Sequence, residues 1–241
     1  MTTEYSKTQG ELIYAIGDIH GMLDQLIEMM DCIREHAQGR EYIVIFLGDY
    51  IDRGPKSAQV IQYLQTLDPE KHFFIKGNHE AFMLEAPLYR DTYDNWMYNG
   101  GSQTLASYNE LSDGGVTGID LLNEHREWVA KNCANKIETD NHVFVHAGLF
   151  KGDPLNAQKE RNMLWIRGWE DEEFDFGKHV VYGHTPQDEP KLLKNSTNLD
   201  TGCFWGGTLT AGVFDPSVNS GPIDIIQVKG SPAPGFGRRA V

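Results

Sequence analysis

The sequence predicts an α/β domain on three observations. Short apolar runs alternate with helical spacing through the first 78 residues, an aromatic and polar stretch after residue 86 breaks that rhythm, and strand-like runs resume alone from 142. Strands that alternate with helices imply a mostly parallel sheet with the crossover helices packed on its face. The later runs, with no helical pattern between them, imply a second sheet.

Residues 12–19 (LIYAIGDI) read as a buried strand. Over 22–36, Leu23, Leu26, Ile27, Met30 and Ile33 recur at the spacing of one helix face. A second strand follows at 42–49 (YIVIFLGD), then a helix over 56–67 with Pro55 just ahead of it, then a third strand at 72–78 (HFFIKGN), which makes a βαβαβ core. The stretch 86–141 reads as a helical insert or cap, with a helix near 120–131. Strands are predicted at 142–148, 179–185, 196–202, 207–215 and 222–228, all assigned to the second sheet. The Pro/Gly-rich end, 230–241, reads as a loose tail, and the whole of 1–241 as one domain.

Hydrophobic residues form 40% of the 241, enough to bury a sizeable core. The 35 acidic residues outnumber 21 Lys and Arg, a formal charge of −14, which argues against binding a nucleic-acid backbone. Some of that charge would be offset by bound cations if the carboxylates serve as metal ligands. Cys32, Cys133 and Cys203 are odd in number and widely spaced, which points to a reducing compartment rather than a disulfide framework or thiolate zinc site. No run suits a signal peptide or a membrane span, so the expected location is the cytoplasm, and the sequon at Asn195 is read as a chance match.

The polar residues fall at the strand ends. The first three strands run into Gly17-Asp18-Ile19-His20-Gly21, Gly48-Asp49-Tyr50-Ile51-Asp52-Arg53-Gly54 and Gly77-Asn78-His79-Glu80, and two later ones into His146-Ala147-Gly148 and Gly183-His184-Thr185. One such Asp-x-His is usually a turn or a cap. Five in register point nitrogen and oxygen donors to a single edge. A set of Asp, Asn and His without Cys suits manganese, iron or zinc in a hydrolytic site. Six candidate ligands exceed what one catalytic ion uses, and a shared carboxylate commonly holds two ions about 3.5–4 Å apart.

GDIHG, GDYIDRG, GNHE, HAG and GHT, in this order across about residues 12–215, resemble the signature of the phosphoprotein phosphatase family of calcineurin-like metallophosphoesterases, in particular the bacterial and phage serine/threonine protein phosphatases. The resemblance implies a metallophosphoesterase fold: two mixed β-sheets flanked by helices, an α/β/β/α sandwich, with the βαβαβ unit as its metal-binding core. It implies two divalent ions, with manganese expected and iron or zinc open. Asp18 and His20 would bind the first, Asp49 would bridge, and Asn78, His146 and His184 would bind the second. His79 would be the general acid paired with Asp52, and Arg53 would hold the phosphate. Arg167, in Met163-Leu164-Trp165-Ile166-Arg167, resembles the second phosphate-binding arginine of bacterial and phage members. A hydroxide bridging the metals would attack directly, with no phosphoenzyme.

Chemistry agrees with these roles. A serine alkoxide leaves poorly, and protonation by a positioned imidazole contributes about 10²–10⁴-fold. Arginine forks match phosphate oxygens. His36, His72, His125, His142 and His179 have no motif around them and read as surface or packing residues. Asp200 reads as a structural hydrogen-bonding group, Glu80 as a buttress, the 170–175 acidic run as a solvated loop, and Cys203 as a small buried residue. Trp96, Tyr98 and Gly100-Gly101 could line the substrate or form the insert's own core, and the second reading is preferred.

Two activities share the pattern. The complete GDYIDRG, with Asp52 retained, resembles the protein phosphatases; Asp200-Thr201-Gly202-Cys203-Phe204-Trp205-Gly206-Gly207 resembles the symmetrical diadenosine tetraphosphate hydrolases. A nucleotide is already a stable leaving anion, so an acid pair serves monoesters better, and the preferred reading is a serine/threonine protein phosphatase acting on a phosphorylated protein or small phosphoester. The dinucleotide hydrolase is the alternative, tyrosine phosphates stay open, and a dead binding scaffold is disfavoured because every ligand is present. The chain lacks the regulatory segment of the eukaryotic enzymes; the sequence does not indicate an oligomeric state.

Overall fold

The computed structural model describes residues 2–4, 11–112, 116–171, 174–233 and 235. In chain order the first half contains β1 (Thr2–Glu4), β2 (Leu12–Ile16), α1 (Leu23–Ala37), β3 (Tyr42–Phe46), α2 (Ser57–Gln65), β4 (His72–Ile75), α3 (Asn78–Glu85), α4 (Arg90–Trp96), a π-helical turn (Met97–Gly101), α5 (Ser102–Glu110) and α6 (Gly118–Asn132). There follow β5 (Cys133–Ala134), β6 (Lys136–Glu138), β7 (His142–Val145), α7 (Glu160–Trp165), β8 (His179–Tyr182), β9 (Lys191–Leu192), β10 (Ser196–Asn198), β11 (Thr208–Phe214) and β12 (Asp224–Lys229).

Two six-stranded mixed sheets form, ordered β12-β11-β2-β3-β4-β5 and β1-β6-β7-β8-β10-β9. The βαβαβ core is as expected: β2, β3 and β4 are parallel neighbours, with Leu12 to Ile16 opposite Tyr42 to Phe46. Every residue of β2 is buried, because both faces of this central strand are covered and alternation cannot show. Leu12, Tyr14 and Ile16 face the helical layer with Leu26, Met29, Ile33, Val60 and Ile61. Ile13 and Ala15 face the other sheet with Ile45, Phe144, Val181, Leu199 and Phe214. On the far side of the second sheet, Val143, Val145, Val180 and Tyr182 pack with Met163 and Trp169.

Three expectations change. The strands predicted at 207–215 and 222–228 belong to the first sheet: β11 runs antiparallel to β2, with Phe214 opposite Ile13, and β12 pairs outside it. The apolar run of β11 signals burial but not which sheet it joins, and β12, largely exposed at the edge, signals neither. The helical part of 86–141 ends at Asn132, and β5 and β6 then pair with β4 in one sheet and β7 in the other. Nor does this helical part form a cap: Trp96, Tyr108, Leu122 and Val129 share the apolar cluster of α1 and α2, so it completes the layer on the first sheet. The tail begins anchored, since Gly230 N–H donates to Gly207 O at 2.8 Å and Ala233 N–H to Phe204 O at 2.8 Å. Residues 234 and 236–241 lie outside the described residues, as do 172 and 173 of the acidic run.

His125 illustrates how this helical layer tolerates polarity. It is fully buried, Tyr108 Oη lies 2.7 Å from its Nδ1, and its Nε2 has no hydrogen-bond partner among the described residues. Burial pushes its pKa down to about 4. The unfolded chain takes up this proton near pH 6.5 and the folded chain only near 4, so stability is fully present above about 6.5 and falls as the pH drops between the two. Denaturant midpoints measured from pH 7 to 4.5 are expected to fall, and to fall less steeply in His125→Gln.

Candidate metal centre

The strand C-terminal ends of both sheets converge. Asp18 and His20 follow β2; Asp49, Asp52 and Arg53 follow β3; Asn78 and His79 open α3 after β4; His146 follows β7 and His184 follows β8. All but the half-buried Arg53 are buried. Five of these residues hold left-handed backbone: His20 (φ 47°), Asp49 (53°), Asp52 (71°), Arg53 (67°) and His184 (67°). Among the described residues the only other non-glycine there is Gln38, which caps the end of α1. Such conformations cost on the order of 1–3 kcal/mol each and persist only where surrounding contacts over-determine them.

Glu80 supplies much of that determination. Its buried carboxylate accepts from the N–H groups of Asp49 (2.8 Å), Tyr50 (2.8 Å) and Gly77 (2.9 Å), which locks the β3 loop to the start of α3. Burial, then the neighbouring Asp49 carboxylate, pushes its pKa up to about 8 against these bonds. The two loops approach so closely that a Cβ on Gly77 would stand 2.1 Å from Asp49 Oδ1.

Asp49 is the hub. His20 Nε2 lies 3.6 Å and His79 Nε2 3.8 Å from its Oδ2, and His146 Nε2 3.4 Å from its Oδ1. Two donor groups share it: His20, Asp49 and His79, and Asp49, His146 and His184. Asn78 Oδ1 joins the second, 2.9 Å from His146 Nε2 and 2.8 Å from His184 Nδ1. Asp18 lies beside the first, 3.9 Å from His20 Nε2, and accepts from His184 N–H at 3.1 Å.

These residues fit divalent cations. His20 Nδ1 and His146 Nδ1 donate to the carbonyls of Ile51 and Leu47 at 2.8 and 2.9 Å, which leaves each Nε2 as a bare lone pair aimed inward. Asn78 Oδ1 faces the lone pair of His146, an arrangement of acceptors that a cation resolves. Burial lowers the pKa of His146, of His184 to about 2, and of His20 well below its ordinary value, so all three are neutral donors. Burial and then the Asp200 and Asp49 carboxylates push Asp18 upward.

Beside the hub, His79 Nδ1 contacts Asp52 Oδ2 at 2.6 Å. Arg53 bridges two rings, with Nη1 2.8 Å from His20 Nε2 and Nη2 2.9 Å from His79 Nε2, and lies over the Phe204 ring at 4.8 Å. Arg167 is exposed and its Nη1 donates to Thr185 Oγ1, next to His184, at 2.9 Å. All ten residues singled out in the sequence therefore gather at one edge. Trp96 does not line the substrate; it is buried against Asp52, together with Thr104, and motif reading gave no sign of either contact.

The residues set aside lie in other networks. His36 contacts Asp224, His72 the Asp68 carbonyl, His142 the Ser220 carbonyl and His179 the Thr197 hydroxyl. Asp200 is buried and accepts from Gly202 N–H at 3.1 Å, with burial pushing its pKa up to about 6. Burial raises the Cys203 thiol to about 12, no state for a nucleophile.

Comparison with known proteins agrees with the geometry. The calcineurin-like phosphoesterase family profile matches residues 12–207. Two bacterial relatives named bis(5'-nucleosyl)-tetraphosphatase PrpE [asymmetrical] are similar along most of their length: one from Anoxybacillus flavithermus is 32% identical over 225 residues (81% of this chain, 87% of the relative), and one from Halalkalibacterium halodurans is 27% identical over 223 (81% and 87%). Among solved structures, a candidate diadenosine tetraphosphatase superposes with TM-score 0.69 at 20% identity, covering 95% of this chain and 98% of that one. A Saccharomyces cerevisiae protein serine/threonine phosphatase superposes with TM-score 0.64 at 14% identity, covering 100% and 84%, a likeness of fold. The strand-end donor clusters and the profile match lead to one conclusion: this chain belongs to the calcineurin-like phosphoesterase family and is a metal-dependent phosphoester hydrolase.

Proposed function

We propose that the chain hydrolyses bis(5'-nucleosyl) tetraphosphates asymmetrically, to a nucleoside triphosphate and a nucleoside monophosphate. The relatives similar along most of their length carry that activity in their names, and the preference drawn from Asp52 alone for a serine/threonine protein phosphatase gives way to it. The observation that carries the reading is at the rim. The Trp165 indole, 41% exposed, stands edge-on to Phe82 at 5.0 Å and to the His184 ring at 6.3 Å, two residues before Arg167. An exposed indole beside the donor cluster is a platform for a nucleobase, and such stacking contributes about 1–3 kcal/mol per base. A phosphorylated peptide has no general need of it.

In this reading Asp18, His20 and Asp49 would hold one divalent ion, and Asp49, Asn78, His146 and His184 the other. The donor set, free of thiolate, suits manganese, iron or zinc. Two such ions lower the pKa of water and neutralise phosphoryl oxygens. Arg53, which here donates to the His20 and His79 ring nitrogens, would hold the phosphate once it leaves them, freeing His79 Nε2, and Arg167 would contact a second phosphate. His79 protonates the departing oxygen. The 2.6 Å contact of His79 with Asp52 favours phosphomonoester hydrolysis as a second activity, since an alkoxide needs that proton more than a nucleotide does. The three free cysteines agree with a reducing compartment, and no helix among the described residues is long and apolar enough to cross a membrane.

Metal-loaded protein is expected to convert diadenosine tetraphosphate to ATP and AMP faster than it dephosphorylates a phosphoserine or phosphothreonine peptide; two molecules of ADP, or the reverse order of rates, overturns the proposal. Trp165→Ala is expected to raise KM for the dinucleotide about 10-fold while 4-nitrophenyl phosphate constants stay within about twofold. Gly77→Ala, whose Cβ would displace the Asp49 carboxylate, is expected to lower the bound metal measured by elemental analysis well below wild type.

A further inference from the structure

The helices between β4 and β5 make the closest polar contacts to Asp52. Trp96, 1% exposed, places its indole Nε1–H 3.0 Å from both Asp52 carboxylate oxygens. Thr104 Oγ1 donates to Asp52 Oδ1 at 2.6 Å and accepts from Asp52 N–H at 3.0 Å, and Ser57 Oγ accepts from the same N–H at 2.9 Å. Gly100, at φ 112° in the π-helical turn, packs on the next residue: a Cβ there would lie 2.6 Å from Arg53 N. A wide turn between α4 and α5 therefore sets Trp96 and Thr104 on either side of one buried carboxylate. An indole N–H can only donate, so it fixes the carboxylate plane and leaves Oδ2 facing His79 Nδ1.

We propose that Trp96 and Thr104 are positioning residues for the proton donor: they orient Asp52, and through it His79, so that Nε2 faces the leaving oxygen. The inference rests on the hydrolytic reading above but not on which phosphoester is cleaved. A water oxygen forms a bond to phosphorus, the bond from phosphorus to the leaving oxygen breaks with its electron pair staying on that oxygen, and His79 Nε2–H supplies the proton it takes. Attack releases a proton from the water, which restores the imidazolium by way of solvent. Neither Trp96 nor Thr104 touches the reacting atoms. Their effect therefore appears where the leaving oxygen is most basic and vanishes where it leaves unaided.

The test compares phenyl phosphate, a poor leaving group, with 4-nitrophenyl phosphate, a good one, on metal-loaded wild type, Trp96→Phe, Thr104→Val and Thr104→Ser. Trp96→Phe and Thr104→Val are expected to lower kcat for phenyl phosphate by about 10-fold or more and for 4-nitrophenyl phosphate by less than about twofold, with KM and bound metal unchanged; Thr104→Ser, which keeps the hydroxyl, restores the phenyl phosphate rate. Equal losses on both esters, or no loss on either, overturn the proposal. Proton NMR of the metal-loaded proteins decides independently of turnover: a downfield His79 Nδ1 proton, lost in Asp52→Asn, is expected to shift or broaden in Trp96→Phe and not in Thr104→Ser. An unchanged resonance in Trp96→Phe overturns it. Wild type that turns over neither ester counts against the second, monoesterase activity and not against dinucleotide cleavage, and leaves the NMR comparison to judge the positioning claim.

Discussion

The site depends on one buried carboxylate, Glu80, whose partners are backbone N–H groups. Glu80 gathers the N–H groups of Gly77, Asp49 and Tyr50 around itself, and so fixes the start of α3 against the loop after β3. That loop carries Asp49, Asp52 and Arg53, all in left-handed backbone, which local preference alone would not choose. Polar N–H groups buried without partners would each be costly, so the three bonds hold an otherwise unfavourable path. Once the loop is fixed, Asp49 lies between His20, His79 and His146, and its side chain can be shared by two donor groups.

Charge decides what such a cluster can bind. Asp18, Asp49 and Asp200 are buried within one another's influence, and the surrounding histidines are held neutral by burial. Buried carboxylates beside neutral imidazole lone pairs are electrostatically incomplete without a counter-charge, and in this structure Arg53 supplies part of one through His20 and His79. A divalent ion is the stronger partner for the same lone pairs.

The helical layer between β4 and β5 reaches Asp52 as well as the core. Trp96 packs with Tyr108, Leu122 and Val129 on its apolar side and directs its N–H to Asp52 on the other. One side chain thereby joins the apolar layer to the Asp52 carboxylate. Trp165, against Phe82 and His184, remains exposed. The two indoles differ by burial: one is enclosed against the Asp52 carboxylate, and the other is exposed beside the His184 ring.

The sequence by itself determined the βαβαβ core, because alternating apolar periods and glycine-ended strands are local signals, and it singled out nine of the ten candidate residues, because five strand ends repeat one pattern of donors; Arg167 lies outside those motifs and came only from a resemblance. Only the tertiary structure decided where β11 and β12 join, since an apolar run is equally buried at either sheet. It also decided that 133–138 contribute a strand to each sheet: β5 and β6 are too short, two and three residues, to show a period. The contacts of Trp96 and Thr104 with Asp52 span 44 and 52 residues of chain. No spacing rule reaches that far, and only folding brings the donors of one element to the acceptor of another.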